Sequence, residues 1–457
     1  MKQLKISQRA PRRAALPAAP VMLALALAAA PADALNLQEA VAMAQRNDPW
    51  LQASTWREEA VSAQAVAAGA LPDPTVEMGF ANLPTDTFDF DQEAMTQFKV
   101  GIAQTFPRGD TRALSQRRLD VLAEQFPHQR EERRARLAVD VTVTWLEAYR
   151  ARRSISLIEQ DRELFEQLVD VAQSSYASAM GRTRQQDLVR AQLEVTRLED
   201  RLAVLHQRLE TAQARLREWL WPSGDPGGWA AAGSISSTGP ELPALQLRHP
   251  ELFAEGEALA PRRLAPLLDQ HPVIQGLDSK IEAGSVEVQL ARQKYRPQWK
   301  VNASYGYREG NPNDGPDRPD FFSIGVGFDL PLFTSNLQDR EVQSAIAGTE
   351  ALRTDRTLAL RALLAGFEAE YARLQRLDQR RALYQTRLLR EMEAQAEASL
   401  SAYTSDDGDF AEVVRSRIAE LNARIEALDI ETERLQTIAR LNYFFAGSDP
   451  VAQGETS

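Results

Sequence analysis

The chain has 457 residues, 44% of them hydrophobic and 26% charged. This is a globular balance, with room for roughly two or three ordinary domains. A net charge of −11 opposes a nucleic-acid partner, which needs basic surface to neutralise phosphate. Cysteine is absent, which excludes disulfides, thiolate metal ligands and a lipid on an N-terminal cysteine.

The first segment reads as a secretory signal peptide over 1–34. Lys2, Lys5, Arg9, Arg12 and Arg13 precede a short apolar run, Val21 to Ala30, and Ala32-Asp33-Ala34 forms a small-residue cleavage site. The mature chain is expected to start at Leu35. An apolar run of about ten residues is too short to span a bilayer, and no later stretch reaches about 18.

The remainder is a duplication with an offset near 225 residues. Repeat 1 is predicted over 35–221. It has a helix over 36–69, strands over 75–83 and 96–106, and coiled-coil helices over 110–220 that reverse near Gly181. A Pro/Gly-rich segment over 222–265 is read as a connector packed on the outside. Repeat 2 is predicted over 266–446. It has a helix over 266–294, strands over 298–308 and 322–332, and coiled-coil helices over 335–445 that reverse near Gly408. The tail, 447–457, is predicted to be disordered. Asp48-Pro49 opens one copy and His271-Pro272 the other.

All four strands alternate with period two. Val76, Met78 and Phe80, then Phe98, Val100, Ile102 and Phe106, share one parity. So do Trp299, Val301, Ala303, Tyr305 and Tyr307, and Phe322, Ile324, Val326 and Phe328. A soluble sheet covering a core alternates in the same way. Three features favour a membrane barrel instead. The other parity carries Lys99, Lys300, Arg308 and Asp329, as a wet lumen would. Aromatic residues gather at strand ends, at Phe106, Trp299, Tyr307, Phe321, Phe322 and Phe333. The chain is exported. On this reading Val100, Ile102, Ile324 and Val326 face hydrocarbon. Four strands cannot close a barrel and lipid forbids open edges, so several chains must pool their strands.

Each long helix is predicted to run about 70 residues, or roughly 105 Å. Leu188, Ala191, Val195, Leu198, Leu202, Leu205, Leu209, Ala212 and Leu216 recur at heptad spacing. Val414, Ile418, Leu421, Ile425 and Leu428 do the same, as do Leu360, Leu364, Phe367, Tyr371 and Leu374. Charges such as Arg197, Glu199, Asp200 and Arg201 read as a solvated face. Pro127 should kink or interrupt the first long helix. One short helix stacked end to end on a return helix would match one long helix.

These features resemble the TolC-type outer membrane efflux channels over essentially all of 36–446. The resemblance rests on Leu37-Gln38-Glu39-Ala40, Asn47-Asp48-Pro49, His271-Pro272 and the prolines leading into the strands. It rests also on two helix-reversal motifs, Gly181 with Asp187-Leu188-Val189, and Gly408 with Glu412-Val413-Val414. Leu71-Pro72-Asp73-Pro74, Asn82-Leu83-Pro84, Met95-Thr96-Gln97 and Gln104-Thr105-Phe106-Pro107 resemble the subgroup serving heavy-metal (cobalt–zinc–cadmium or copper) pumps. The family resemblance implies a mostly α chain with a small membrane β-barrel, a homotrimer forming an α/β-barrel tunnel. It implies a cell outer membrane location with the helical tunnel in the periplasm. The implied partners are outer membrane lipid, a periplasmic membrane fusion adaptor and an inner-membrane pump of the resistance-nodulation-division class. It also implies a periplasmic gate near the reversals. Asp187 and Glu412 take the positions of family acids, while Arg190 and Arg415 depart from a purely acidic ring, giving an expected mixed-charge constriction. A channel for drugs or for type I protein secretion shares this fold. A non-conducting periplasmic scaffold or adaptor would lack an apolar strand face. Catalytic motifs, cofactor signatures and clustered metal ligands are absent from the sequence, and the four histidines, His128, His206, His249 and His271, lie far apart.

Overall fold

The structure, a computed structural model, describes residues 35–177, 185–221, 241–252, 261–310, 318–405 and 408–448. The expected signal peptide, Gly181, most of the connector and nearly all of the tail lie outside these residues. Repeat 1 comprises α1 (Leu37–Asn47), α2 (Pro49–Gly69), β1 (Thr75–Ala81), β2 (Gln97–Phe106), α3 (Thr111–Ala123), α4 (Gln125–Ala177) and α5 (Gln185–Leu220). After a 3₁₀ turn at Pro250–Leu252, repeat 2 comprises α6 (Pro261–Asp269), α7 (Pro272–Gln293), β3 (Trp299–Tyr307), β4 (Phe321–Phe328) and α8 (Gln338–Leu383). A π turn (Tyr384–Leu388), α9 (Leu389–Thr404) and α10 (Phe410–Tyr443) complete it. The chain is mostly helical with one small antiparallel sheet.

Each repeat opens on two short helices where the sequence predicts one. Pro49 and Pro272 have no N–H to give the preceding turn, so each starts a new helix at its first position. Asp48 Oδ1 caps α2 through the Trp50 N–H at 3.1 Å, and His271 Nδ1 caps α7 through the Val273 N–H at 3.3 Å. α6 begins inside the stretch predicted as a connector, with an amphipathic face that buries Leu264 and Leu268.

An arginine from the long helix clasps each break. Arg133 Nε on α4 donates to Asp48 Oδ2 at 2.7 Å. On α8, Arg356 donates to Asp269 and Asp278, both at 2.6 Å, and these two carboxylates hold its pKa above the ordinary value. The offset that relates Asp48 to His271 also relates Arg133 to Arg356. The return helices end against the same breaks. Asn47 Nδ2 donates to the Leu220 carbonyl at the end of α5, at 2.8 Å. Beyond α10, Gly447 adopts φ +82°, where a Cβ would sit 2.7 Å from the Gln270 carbonyl. Short and return helices thus meet end to end beside the long ones.

Pro127 interrupts the first long helix as predicted. The missing N–H would have bonded the Ala123 carbonyl, and α3 ends at Ala123. Gln125 Nε2 takes the neighbouring Leu122 carbonyl at 2.9 Å, and Pro127 falls in the first turn of the 53-residue α4. The second long helix has no proline and carries the π turn instead, which nothing in the sequence marks.

The heptad seams are buried. Ala191, Leu198, Leu202, Leu205, Val413, Val414, Leu421 and Ile425 join Ile158 and Phe165 in one cluster between α4, α5 and α10. A second cluster, around Trp145, Leu146, Phe367, Leu374, Leu441 and Phe445, lies nearer the sheet-bearing helices. His271 is fully buried in this region, edge-on to Tyr443 at 4.9 Å, with Glu132 and Arg136 the charged groups nearest it.

Burial pushes the His271 pKa below its ordinary value, with the Tyr443 backbone opposing the shift. The unfolded chain therefore binds the extra proton first, and stability contributed here is lost as pH falls below about 6.5. We expect thermal midpoints to drop between pH 7 and pH 5. His271→Asn keeps a capping oxygen and should flatten that slope; an unchanged slope would place the acid sensitivity elsewhere.

Candidate functional site: the sheet and the helical tip

The four strands form one sheet in the order β1-β2-β3-β4, all antiparallel, so the two repeats join through β2 and β3. Directly opposed residues in such a ladder point to one face. Val76 pairs with Ile102, Met78 with Val100 and Phe80 with Phe98. Val100 pairs with Tyr305 and Ile102 with Ala303; Val301 pairs with Val326 and Ala303 with Ile324. Every strand therefore adds its apolar set to the same side. The other side collects Glu77, Gly79, Lys99, Gly101, Ala103, Lys300, Asn302, Ser304, Gly306, Ser323, Gly325 and Gly327.

The two faces differ in exposure in an unexpected sense. Ile102 is 50% exposed, Ile324 72% and Val326 62%, while Ala103 and Ser304 on the polar side are buried. The large apolar residues are the exposed ones, and the more enclosed positions lie among the small, polar residues of the other side.

Aromatic rings band both ends of the apolar face. At the loop end Phe80 lies 5.3 Å from Phe98 and 5.8 Å from Phe90, and Phe90 stacks on Tyr307. At the helix end Trp299 lies 4.8 Å from Phe328, beside Phe106. From Phe98 to Phe106 the strand rises roughly 26 Å. Phe321 corrects the expected girdle: it pairs with Gly306, on the polar side, and carries the Arg308 guanidinium 3.8 Å above its ring.

Two of the four predicted lumen charges fall outside the strands. Arg308 follows β3 and bridges the two outer loops, donating to the Pro319 carbonyl at 2.9 Å and to the Ala94 carbonyl at 2.9 Å. Asp329 follows β4, accepts from the Gln298 N–H at 2.6 Å and pairs with Arg108. Strand β1 ends two residues before its predicted limit because Asn82 turns left-handed at φ 56°; β4 ends where Asp329 leaves the ladder, before Pro331. Lys99 and Lys300 lie within strands, on the polar face, and no ion pair engages them among the described residues.

At the opposite end of the long helices, α9 ends at Thr404 and α10 begins at Phe410. A Cβ on Gly408 would lie 2.6 Å from the Tyr403 backbone nitrogen, so the chain passes too close for any side chain. Asp409 caps α10 through the Ala411 N–H, and Phe410 is buried edge-on to Tyr403. Arg415 pairs with Glu412 one turn back on the same helix. On α5, Asp187 is buried and Arg190 exposed. Sequence reading missed a second charged cluster further along: Glu420, buried on α10, accepts from Arg417 at 2.8 Å and from Arg424, which reaches Asp161 on α4 at 3.4 Å. Burial raises the Asp161 pKa against the pull of Arg424. The i,i+3 and i,i+4 spacing of Arg417, Glu420 and Arg424 was the available signal.

Among the described residues no helix is long and apolar enough to cross a membrane, and no group of three or more potential ligands could hold a metal ion. Residues 264–445 match the family model for outer membrane efflux proteins. No curated protein sequence matches the chain. Among solved structures, the outer-membrane channel OprN is similar at TM-score 0.72 and 15% identity, over 90% of each chain. CusC, described as forming a transmembrane channel, is similar at 0.69 and 14%, over 90% of this chain and 92% of its own. The outer membrane protein VceC of Vibrio cholerae is similar at 0.71 and 14%, over 90% of this chain and 96% of its own. At such identities the likeness is one of fold.

Proposed function

We propose that the chain is an outer membrane efflux channel, a homotrimer whose three four-stranded sheets close into one barrel above a tunnel of long helices. The observation that carries this is the sheet itself. It presents an uncovered apolar face banded by aromatics at both ends, an opposite face of small and polar residues, and two open edges at β1 and β4 among the described residues. In lipid those edges must be paired, and three copies supply twelve strands. The family match over 264–445 supports this reading for the second repeat, and the duplication extends it to the first. Val100, Ile102, Ile324 and Val326 would face lipid; Lys99 and Lys300 would face the lumen.

The helical tip would lie in the periplasm and receive solute from a membrane fusion adaptor and a resistance-nodulation-division pump. Asp187, Arg190, Glu412 and Arg415 would set a mixed-charge constriction there, close to the Gly181 and Gly408 reversals. Heavy-metal cargo is the finer part of this reading and follows the sequence resemblance of the motifs flanking the strands. Growth of a deletion strain on zinc, cobalt, cadmium and copper tests the cargo.

The channel itself is tested by native mass spectrometry in detergent and by single-channel recording in planar bilayers. A trimer with discrete conductance is expected, and a non-conducting monomer would remove the proposal. Asp187→Ala combined with Arg415→Ala should raise resting conductance. An unchanged value would put the constriction at another level.

A further inference from the structure

We infer that Lys300 makes the barrel selective for anions, so that solute crosses it as an anionic or neutral species and not as a bare cation. This rests on the trimeric channel reading above. Lys300 stands on the polar face of β3 between Thr105 on one side and Gly327 on the other. Its next neighbours along that face are Asn302 and, on β4, Gly325. The nearest carboxylate, Asp329, stands one diagonal step away just past the end of β4, and its charge is already met by Arg108 and the Gln298 N–H.

The other charges on that face cancel. Lys99 opposes Gly79 and Gly306, and Glu77 opposes Gly101, one diagonal step away on the same side. Diagonal neighbours of this kind are within reach of long side chains. The glycines leave both free to do so. Glu77 and Lys99 carry opposite charges one diagonal step apart and sum to zero, which leaves Lys300 as the excess charge among the strand residues of this face.

Three copies place three ammonium groups at one level of the lumen. Twelve strands about 4.8 Å apart give a wall roughly 58 Å around, a radius of about 9 Å before tilt widens it. The Debye length at physiological ionic strength is about 8 Å, so screening does not hide the ring from the axis. Three charges at that distance in water disfavour a monovalent cation about twofold and favour an anion by a similar factor, or about fourfold between the two. A divalent cation is disfavoured more strongly, so a metal leaving by this route would travel with its charge already cancelled by ligands.

The test is the reversal potential of the full-length trimer in planar bilayers under a KCl gradient near 0.15 M. The wild type should prefer chloride about fourfold. Lys300→Glu should turn that into a preference for potassium, and Lys300→Gln should fall between. Glu77→Gln should move the potential the other way, toward chloride, a direction no general folding defect would produce. A conducting channel whose reversal potential ignores Lys300→Glu overturns the inference and leaves the channel reading intact. Absence of any conductance in the wild type overturns both.

Discussion

Val326→Arg is expected to cost the assembled barrel about 2–4 kcal/mol, the penalty for a cation on the lipid face near the bilayer midplane. Val326 sits in the middle of β4, 62% exposed, opposite Val301 and two residues from Ile324 on the same apolar side. In lipid its side chain would have no water and no counter-ion within reach. The matched control is the adjacent residue, on the other face. Gly327 is the better choice than Gly325, because a Cβ at Gly325 would come 2.8 Å from Asn302 Oδ1, whereas nothing lies within 4 Å at Gly327. Gly327→Arg adds charge beside Lys300 and should change conductance while leaving assembly near wild type. The measurement is the fraction of trimer surviving a urea series in lipid bilayers. Equal losses from both variants would show that the apolar side of the sheet is covered by protein and not by lipid.

That prediction depends on a feature the sequence carries openly. Period-two alternation put Val76, Met78, Val100, Ile102, Val301, Ile324 and Val326 on one parity of their segments, and the antiparallel ladder brings these residues to one face. The heptad seams were equally legible, since Leu198, Leu202, Val414 and Leu421 declare themselves by spacing alone and are buried. What stayed hidden depends on where chain ends meet. Arg308 and Asp329 continue the lumen parity in sequence, yet the ladder stops one residue short of each, and both are consumed by carbonyls, an N–H and Arg108. Phe321 looks like a girdle residue by type, but its partner Gly306 fixes it on the polar side. The prolines at 49 and 272 were visible as repeat markers. That each also divides a helix follows from the lost N–H, while the Arg133 and Arg356 clasps that hold the divided ends come from helices far along the chain. The tip is the least legible region. Glu412 and Arg415 have the spacing to pair within their own helix, and they do, so their spacing says nothing about which charges would meet across a trimer axis.

The duplication reaches into the core, and there the largest single loss is expected. At matching places in the two repeats the long helices carry an aromatic pair one turn apart. Trp145 stacks on Tyr149 with ring centres 5.7 Å apart, and Phe367 stacks on Tyr371 at 6.1 Å. Trp145 is 1% exposed, and its Nε1–H donates to the Leu35 carbonyl at 3.1 Å, tying residue 35 to α4 across more than a hundred residues of sequence. Trp145→Ala removes a large buried ring and leaves a buried carbonyl without its donor, so we expect about 3–5 kcal/mol of destabilisation. Trp145→Phe keeps one aromatic ring and loses the indole N–H together with part of the buried ring volume. It should cost about 1–3 kcal/mol, the penalty for an unsatisfied buried acceptor. Phe367→Ala makes no such bond and should fall with the purely packing losses, also about 3–5 kcal/mol. Helical circular dichroism followed through a urea titration of the purified trimer separates the three. A Trp145→Phe variant as stable as wild type would mean that the Leu35 carbonyl finds water or another donor, and that residue 35 is held by packing alone.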